Sequence, residues 1–218
     1  MSSGLEKCTA MNRLCDFVEA SIALAIDQVS QLPTSVLALD GMSSGKGRCL
    51  LNNLCRRPGT RYLEVGVWAG STLISALYGN SESVVAAEAI DNFSQFGGPR
   101  EVFEQKTREF LGEGRFTLHV NGYREVAPTL QPPVNVYFYD GEHSAENQRD
   151  GLLHFWPCLA DEFVFLVDDW NWPCVKQGTY EGIAKSGGRM VKSWELPAAF
   201  NGDREQWWNG LFVAVMQK

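Results

Sequence analysis

Carboxylates directly follow two neighbouring apolar runs in the second half of the chain. Asp140 comes after the run 134–139, and Asp168 and Asp169 come after the run 163–167. Ligands of open α/β sheets bind at the carboxyl ends of the strands, so these acids should meet at one rim. Three carboxylates repel one another, and a hard divalent cation relieves the repulsion because it prefers oxygen ligands. The spacing therefore predicts a metal site of Asp140, Asp168 and Asp169 for Mg²⁺, with Ca²⁺ and Mn²⁺ left open.

These residues also have a structural interpretation. Aspartate is common at helix N-termini, so the three acids could cap the helices that follow. His143 titrates near neutrality, which suits a general base, and Asp140 is a second candidate for that role. Equally, His143 could cap the helix that begins near Ser144 or support Asp140. His119 and His154 lie in a strand pattern and a helix pattern, so we expect them to be structural.

A glycine-rich turn provides a second group of candidate residues. The apolar run 62–65 contains Glu64 and meets Gly66 and Gly70, and a helix-forming segment begins at Ser71. Glycine permits backbone angles that other residues avoid and lets a ligand approach the backbone. Ser71 is the expected N-cap, and the free N–H groups of that helix would point over the turn. The candidate cofactor contacts here are Glu64, Gly66, Val67, Trp68, Gly70 and Ser71.

The spacing of this turn bears on which cofactor it could hold. A dinucleotide turn reads G-x-G-x-x-G, and its second glycine lets the backbone approach a pyrophosphate. Counted from Gly66, Trp68 occupies the second position and Ser71 the third. The indole argues against NAD(P), although an NAD(P)-dependent oxidoreductase stays the first alternative. A βα turn that holds no ligand is also open.

Polar residues follow the second and third predicted strands as well. Asp91 lies 25 residues after Gly66, the distance at which doubly wound folds place the carboxylate that binds an adenosine ribose. Glu88 competes for this role if the strand ends earlier. Asn92 and Asn121 complete the candidate cofactor contacts at this rim.

The elements that must position these residues alternate between helix and strand. Strands are predicted over 62–65, 83–90, 116–120, 134–139, 163–167, 189–194 and 211–216, and helices over 14–29, 47–56, 71–78, 99–111, 144–156 and 173–185. Pro33 is expected to stop the first helix. Ser144 is the expected N-cap of the helix over 144–156, and Gly187-Gly188 should stop the helix over 173–185. This order predicts a Rossmann-like, doubly wound parallel sheet that ends in an antiparallel hairpin. We expect a single domain over 1–218, with a helical extension over 1–60 that covers a sheet edge or forms a lid or an oligomer contact.

Composition excludes several classes of partner. The formal charge of −7 provides no electrostatic footprint for nucleic acid or an anionic membrane, so a small molecule is the expected partner. Six scattered cysteines form no C-x-x-C pair, which favours reduced thiols in a cytoplasmic protein. An apolar signal core and a run of roughly 20 apolar residues are both missing from the sequence, so no membrane helix is expected.

The segments YLEVGVWAGSTL, AIDNF, YFYDGEHS and FLVDDWNW, with the terminal LFVAVMQK, resemble the metal-dependent O-methyltransferases. The resemblance is strongest to the enzymes that act on sugar hydroxyls of macrolide and aminocoumarin antibiotics and to the related methyltransferase 24 group, and catechol O-methyltransferase shares the skeleton. It implies a seven-stranded sheet and S-adenosylmethionine as cofactor, with Glu64 near the amino-acid end of the cofactor. It also implies that Asp140, Asp168 and Asp169 bind Mg²⁺, and it places His143 where the catechol enzymes have their catalytic lysine.

The sequence departs from that pattern after the third strand, where Asn121-Gly122 replaces a glycine followed by an acid. Trp170, Trp172, Trp207 and Trp208 crowd the acceptor side, where aromatic residues serve first for packing, and the long loop 197–209 is a candidate specificity lid. We therefore expect a metal-assisted O-methyltransferase that acts on a small hydroxylated acceptor. A cofactor-binding homologue without catalysis is the second alternative.

Overall fold

The computed structural model describes the backbone of residues 2–127 and 133–218, and side chains from residue 12 onward within those ranges. The strands are β1 Thr60–Val65, β2 Val84–Ile90, β3 Thr117–His119, β4 Val134–Tyr139, β5 Leu159–Val167, β6 Arg189–Leu196 and β7 Leu211–Gln217. The helices are α1 Ser2–Ile26, α2 Thr34–Leu37, α3 Gly45–Cys55, α4 Ser71–Leu77, α5 Arg100–Leu111, α6 Ala145–Phe155 and α7 Pro173–Ser186.

The seven strands form one sheet in the order β3-β2-β1-β4-β5-β7-β6. The strands β1 to β5 pair in parallel, whereas β7 runs antiparallel to both β5 and β6. The predicted doubly wound sheet and its terminal antiparallel hairpin are therefore confirmed. Because β1, β4 and β5 are neighbours in the middle of the sheet, their carboxyl ends lie side by side.

Helices cover both faces of the sheet. Alternate residues of a strand point to opposite faces, and β7 illustrates this, since Val213 packs in one buried cluster and Phe212 in another. The first cluster includes Val18 of α1 and Leu50 of α3, and the second includes Leu152 of α6. The N-terminal helices thus pack onto a face of the sheet and share its core.

Two predicted boundaries of the N-terminal region are wrong. The first helix spans Ser2–Ile26 rather than 14–29, and it ends before Pro33. Gln28 takes a left-handed φ of 53°, and the N–H of Val29 donates to the carbonyl of Leu24. This backbone turn ends the helix, whereas Pro33 precedes the short helix α2.

Four further local predictions can be compared with the structure. Ser71 is not the N-cap of α4, because the cap position is Gly70 at φ 88° and the serine already lies inside the helix. By contrast, Ser144 caps α6 by accepting from the N–H of Asn147, and Gly187 ends α7 at φ 75°. The strand β5 begins at Leu159, four residues earlier than predicted. Within the described residues, no helix has the length and apolar character needed to span a bilayer.

Candidate active site

A cleft of about 550 Å³ opens over the carboxyl ends of the parallel strands. Backbone hydrogen bonds continue past the strand ends and hold the following residues side by side: Gly66 N–H donates to Ile90, and Asp140 N–H donates to Val65. This lateral pairing explains why residues distant in sequence line one cavity. The predicted site residues that line it are Gly66, Trp68, Asp91, Asn92, Asn121, Asp140, His143, Asp168 and Asp169.

The glycine turn brings β1 close to the end of β4. Gly66 has a φ of 86°, and a Cβ at this position would collide with the carbonyl oxygen of Asp140. Both the backbone angle and the close approach therefore require glycine. Trp68 also has a positive φ, of 41°, and its indole N–H donates to the Phe96 carbonyl at 3.1 Å. The indole thus ties the turn to the loop that follows β2.

Asp91 organises the same turn. One of its carboxylate oxygens accepts from the N–H groups of Val67 and Trp68, at 2.9 and 2.8 Å. The other accepts from the N–H of Phe93 at 2.6 Å. Each carboxylate oxygen has two lone pairs, so acceptor capacity remains for a ligand hydroxyl. Glu88 lies within β2 and contacts His119 Nε2 at 2.6 Å, outside the cleft.

Glu64 lies beneath the turn and away from the cleft wall. It is fully buried, and its carboxylate accepts from the hydroxyls of Tyr62 and Thr72. Burial raises the pKa of Glu64 to about 7, against the opposing effect of those two hydroxyls. Its predicted contact with a cofactor stays a prediction, as do the contacts of three other turn residues that do not line the cleft, Val67, Gly70 and Ser71.

The three predicted acids do come together. Asp140 and Asp168 share a hydrogen bond between their side chains, and burial followed by repulsion from the other acids raises the pKa of both well above the usual range. Asp169 follows with a φ of 55°, and burial raises its pKa as well. None of the three caps a helix, because Ser144 caps α6 and Trp172 occupies the cap position of α7. That structural alternative is therefore wrong.

The described residues do not contain three or more His, Cys, Asp or Glu side chains arranged around a common point that could hold a metal ion. The acids are instead satisfied by protein partners: Asn209 Nδ2 donates to Asp169 at 2.6 Å, and Asp140 bonds to Asp168. The chemistry of the donor set nevertheless fits a hard cation, because buried and mutually repelling carboxylate oxygens are the ligands that Mg²⁺ and Ca²⁺ prefer.

His143 lies within the same cluster. Its Nε2 is 3.2 Å from a carboxylate oxygen of Asp169 and 3.9 Å from one of Asp140. On the other side of the ring, Nδ1 is 3.2 Å from Gln148 Nε2. Burial lowers the pKa of His143, although Asp169 acts in the opposite direction. Gln148 of α6 contacts the imidazole, and the nearest carboxylate to Nε2 is that of Asp169 rather than that of Asp140. Ser144 rather than His143 caps α6, and the contact of His143 with Asp140 is the longer of its two carboxylate contacts.

The other two histidines have the structural contacts that we predicted. His119 faces Glu88 across two neighbouring strands. His154 Nε2 lies 2.8 Å from the carbonyl oxygen of Val126.

The four tryptophans of the predicted acceptor side divide into two groups. Trp172 and Trp208 line the cleft, and Trp172 packs edge-on against His143 with ring centroids 5.4 Å apart. Trp170 is fully buried and stacks on Phe212, and Trp207 is 6% exposed and belongs to the core. Only the first pair can contact a molecule in the cleft.

Sequence analysis missed several residues of the cleft wall. Asn209 lies in the loop before β7 and bonds to Asp169. Arg124 and Asn147 also line the cleft, and the Arg124 guanidinium pairs with Asp150 at 3.0 Å. Tertiary folding alone brings the segments that contain these residues to the cleft. No local sequence pattern therefore marks them.

The strand order, with an antiparallel β7 inserted between β5 and β6 and a ligand-sized cleft over the glycine turn, defines a class I methyltransferase fold. The sequence agrees with this class. Residues 63–170 match the family described as a methyltransferase domain, methyltransferase 24. The matched segment includes the glycine turn, Asp91 and all three clustered acids. No curated protein matches the chain in sequence.

Solved structures show the same fold at low sequence identity. An O-methyltransferase from Bacillus cereus, solved in complex with S-adenosylhomocysteine, has a TM-score of 0.60 at 11% identity, over 93% of this chain and 91% of the other. The O-methyltransferase TomG from Streptomyces achromogenes, solved with S-adenosylmethionine, has a TM-score of 0.60 at 18% identity, over 92% and 90%. A Pyrococcus horikoshii protein provisionally described as an RNA methyltransferase has a TM-score of 0.54 at 14% identity, over 90% and 96%.

Proposed function

We propose that this protein is an S-adenosylmethionine-dependent O-methyltransferase that acts, with the help of a divalent cation, on a hydroxyl group of a small molecule. One observation carries the proposal: a single cleft is lined both by the glycine turn with Asp91 and by the clustered acids with His143. Methyl transfer requires a cofactor and an acceptor hydroxyl in line and close together. Structural neighbours that bind S-adenosylmethionine or its product support the choice of cofactor.

The charge of the cleft favours a small acceptor over RNA. Among the described residues, the lining contains one cationic side chain, that of Arg124, and it is already paired with Asp150. The same lining contains six acids: Asp91, Glu125, Asp140, Glu142, Asp168 and Asp169. A nucleic-acid site needs a basic surface to neutralise phosphates. An acidic cleft instead suits a neutral or cationic molecule.

Asp140, Asp168 and Asp169 would hold the cation, with substrate oxygens or waters completing its ligands. A bound cation supplies orientation and a lowered pKa to the acceptor hydroxyl. The residues of the chain must then remove the proton. His143 is the first candidate, because burial lowers the pKa of its imidazole, which favours the neutral form that can accept a proton, and its Nε2 faces Asp169 in the cleft. Asp140 stays the second candidate, since it lies in the same cluster.

Two alternatives accompany this proposal. An NAD(P)-dependent oxidoreductase is set aside, because the family match is to methyltransferases. A homologue that binds the cofactor without catalysis would have the same fold and the same turn. Such a homologue would not need the three clustered acids to bind a cation.

The test combines ligand-dependent thermal unfolding with detection of methylated products. We expect S-adenosylhomocysteine to raise the melting temperature, NAD⁺ to leave it unchanged, and Mg²⁺ to add a further increase. Incubation with isotope-labelled S-adenosylmethionine and a cell extract that contains both metabolites and RNA should yield a labelled product of low mass. Asp140→Asn should abolish the Mg²⁺ effect and the product. Glu142→Gln is the matched control, since Glu142 lines the same cleft but bonds to Ser144.

Each contrary result has a distinct meaning. Label in the RNA fraction would replace the small-molecule acceptor by RNA. Stabilisation by S-adenosylhomocysteine without any labelled product, in the presence of Mg²⁺, Mn²⁺ or Ca²⁺, would favour the non-catalytic homologue.

A further inference from the structure

Asp169 is held from two different parts of the chain. One carboxylate oxygen accepts from Asn209 Nδ2 at 2.6 Å, and the other lies 3.2 Å from His143 Nε2. The side chain of Asp169 is only 7% exposed, so these partners rather than solvent set its direction. Asn209 comes from the loop before β7, and His143 comes from the loop before α6.

The orientation of the Asn209 amide follows from its second partner. Its Oδ1 accepts from the N–H of Gly202 at 2.7 Å. A backbone N–H can only donate, so the oxygen of the amide must face Gly202 and the NH₂ group must face Asp169. One side chain therefore joins a loop residue to an acid of the cluster, with both ends engaged.

The loop that Asn209 joins forms the acceptor side of the cleft. Asp203 and Trp208 exchange backbone hydrogen bonds at 3.0 and 2.9 Å, which closes residues 203–208 into a turn. Trp208 from this turn lines the cleft next to Asn209. Further along, the N–H of Asn171 donates to the carbonyl of Asn209 at 2.8 Å. Loop 197–209 and the segment after β5 therefore lie directly against each other.

A second asparagine holds the same loop without touching the acids. Asn171 Nδ2 donates to the carbonyl of Ala198 at 2.9 Å, and its Oδ1 accepts from the N–H of Ala198 at 3.3 Å. Asn171 thus fastens the start of the loop, whereas Asn209 fastens its end and reaches Asp169. A comparison of variants of these two asparagines therefore separates the effect of anchoring the loop from the effect of contacting the acid cluster.

We propose that Asn209 is a positioning residue that couples loop 197–209 to Asp169, so that ordering of the acceptor side and alignment of the acid cluster are one event. Its value to catalysis rests on the function proposed above. A ligand that fixes Asp169 would also fix the loop that carries Trp208, and an acceptor that orders the loop would align Asp169. The protein would then favour acceptors that allow the loop to become ordered and Asp169 to become aligned at the same time.

The test is a double-mutant cycle on hydrogen exchange of the Gly202 amide, which reports the bond to Asn209. We expect Asn209→Ala to speed this exchange about 10-fold, the effect of losing one good hydrogen bond. Asp169→Ala should speed it several-fold, because the amide of Asn209 loses its second anchor. The double variant should be no faster than Asn209→Ala alone. Asp169→Asn should restore the wild-type rate, since it keeps an acceptor oxygen.

Asn171→Ala is the matched control. It should speed exchange at Ala198, and its effect on Gly202 should combine multiplicatively with that of Asp169→Ala, because the two side chains share no bond. Melting temperatures of all variants identify any that have lost the fold. In that event Asp169→Ser and Asn209→Ser, which remove less volume than alanine and whose short hydroxyls cannot replace the bond between the two side chains, complete the same cycle.

Mg²⁺ separates this proposal from the proposed function. We expect the ion to slow Gly202 exchange in the wild type and in Asn171→Ala, but not in Asn209→Ala. If Mg²⁺ has no effect on any variant while the cycle still shows coupling, the role of the cation fails and that of Asn209 stands. If Asp169→Ala leaves Gly202 exchange within about twofold of wild type, the coupling itself is overturned, whatever Mg²⁺ does.

Discussion

The two halves of the cleft are built in different ways. On the proposed cofactor side, backbone groups and one carboxylate hold the turn: Gly66 packs against the backbone of Asp140, and Asp91 accepts three N–H groups. On the proposed acceptor side, side chains from separate loops hold one another, as Asn209 and His143 hold Asp169. The first arrangement rests on backbone groups, whose positions the sheet fixes. The second is charged and depends on contacts between side chains of different loops, so it can respond to a ligand.

This comparison predicts that substitutions on the cofactor side cost stability, whereas removing charge from the acceptor side increases it. A side chain that functions through repulsion is destabilising until its ligand binds.

The largest effect is expected for Gly66→Ala. The new Cβ would collide with the Asp140 carbonyl at a φ of 86°, so the free energy of unfolding should fall by more than about 3 kcal/mol. Gly59→Ala is the control, because Gly59 has a similar φ of 78° with open space around it, and it should cost about 1 kcal/mol. Urea unfolding measures both, and equal costs would contradict the close approach of β1 and β4.

Glu64 lies beneath the glycine turn, and burial raises its pKa as it raises the pKa of the clustered acids. Its pKa is raised by burial to about 7 in the folded state, so the folded protein holds a proton that the unfolded chain releases near pH 4.5. Stability from this group is complete below that pH and is lost as the pH rises to about 7, by about 3 kcal/mol.

Glu64→Gln should remove the loss of folding stability that Glu64 causes as the pH rises. Because Tyr62, Thr72, Cys55 and Asp91 surround the group or act on it, only the difference between variant and wild type isolates Glu64. The free energy of unfolding of the variant, relative to wild type, should rise steadily from pH 4.5 to 7.5. A difference that does not change with pH would show that Glu64 is ionised in the folded protein.

Asp91→Ala should weaken the turn and the cofactor site together. Three backbone N–H groups lose their acceptor, which should cost about 2 kcal/mol of stability. Calorimetric titration should show S-adenosylhomocysteine binding at least about 10-fold more weakly. Glu88→Gln is the control, since Glu88 faces His119 outside the cleft, and it should leave the affinity within about twofold. Unchanged binding in Asp91→Ala would remove Asp91 from the cofactor site.

The smallest effect has the opposite sign. Asp168→Asn removes a carboxylate whose pKa is raised by burial and by Asp169, so the protein without added cation should gain about 1 kcal/mol of stability. The variant should also lose the stabilisation that Mg²⁺ provides to the wild type. Asp150→Asn, which breaks an exposed pair with Arg124, should lower stability slightly and keep the response to Mg²⁺. A destabilised Asp168→Asn would contradict the repulsion on the acceptor side.

Sequence patterns were reliable where local interactions decide the outcome. The bounds of β4, the Ser144 cap and the Gly187 stop were predicted because each depends on neighbouring residues. The prediction that Ser71 caps α4 was wrong. A serine at the start of a helix pattern resembles an N-cap, but the left-handed Gly70 occupies the N-cap position. The acids were predicted to meet because each follows a strand, and strands of a parallel sheet end at one rim.

The sequence by itself determined the order of helices and strands, the glycine turn and the convergence of Asp140, Asp168 and Asp169, because periodicity and turn chemistry act over a few residues. Only the tertiary structure placed Asn209 against Asp169, buried Glu64 beneath the turn and moved Trp170 into the core. These outcomes depend on which loops pack together across the sheet. Contacts between residues forty positions apart, such as that of Asn209 with Asp169, leave no pattern in either segment.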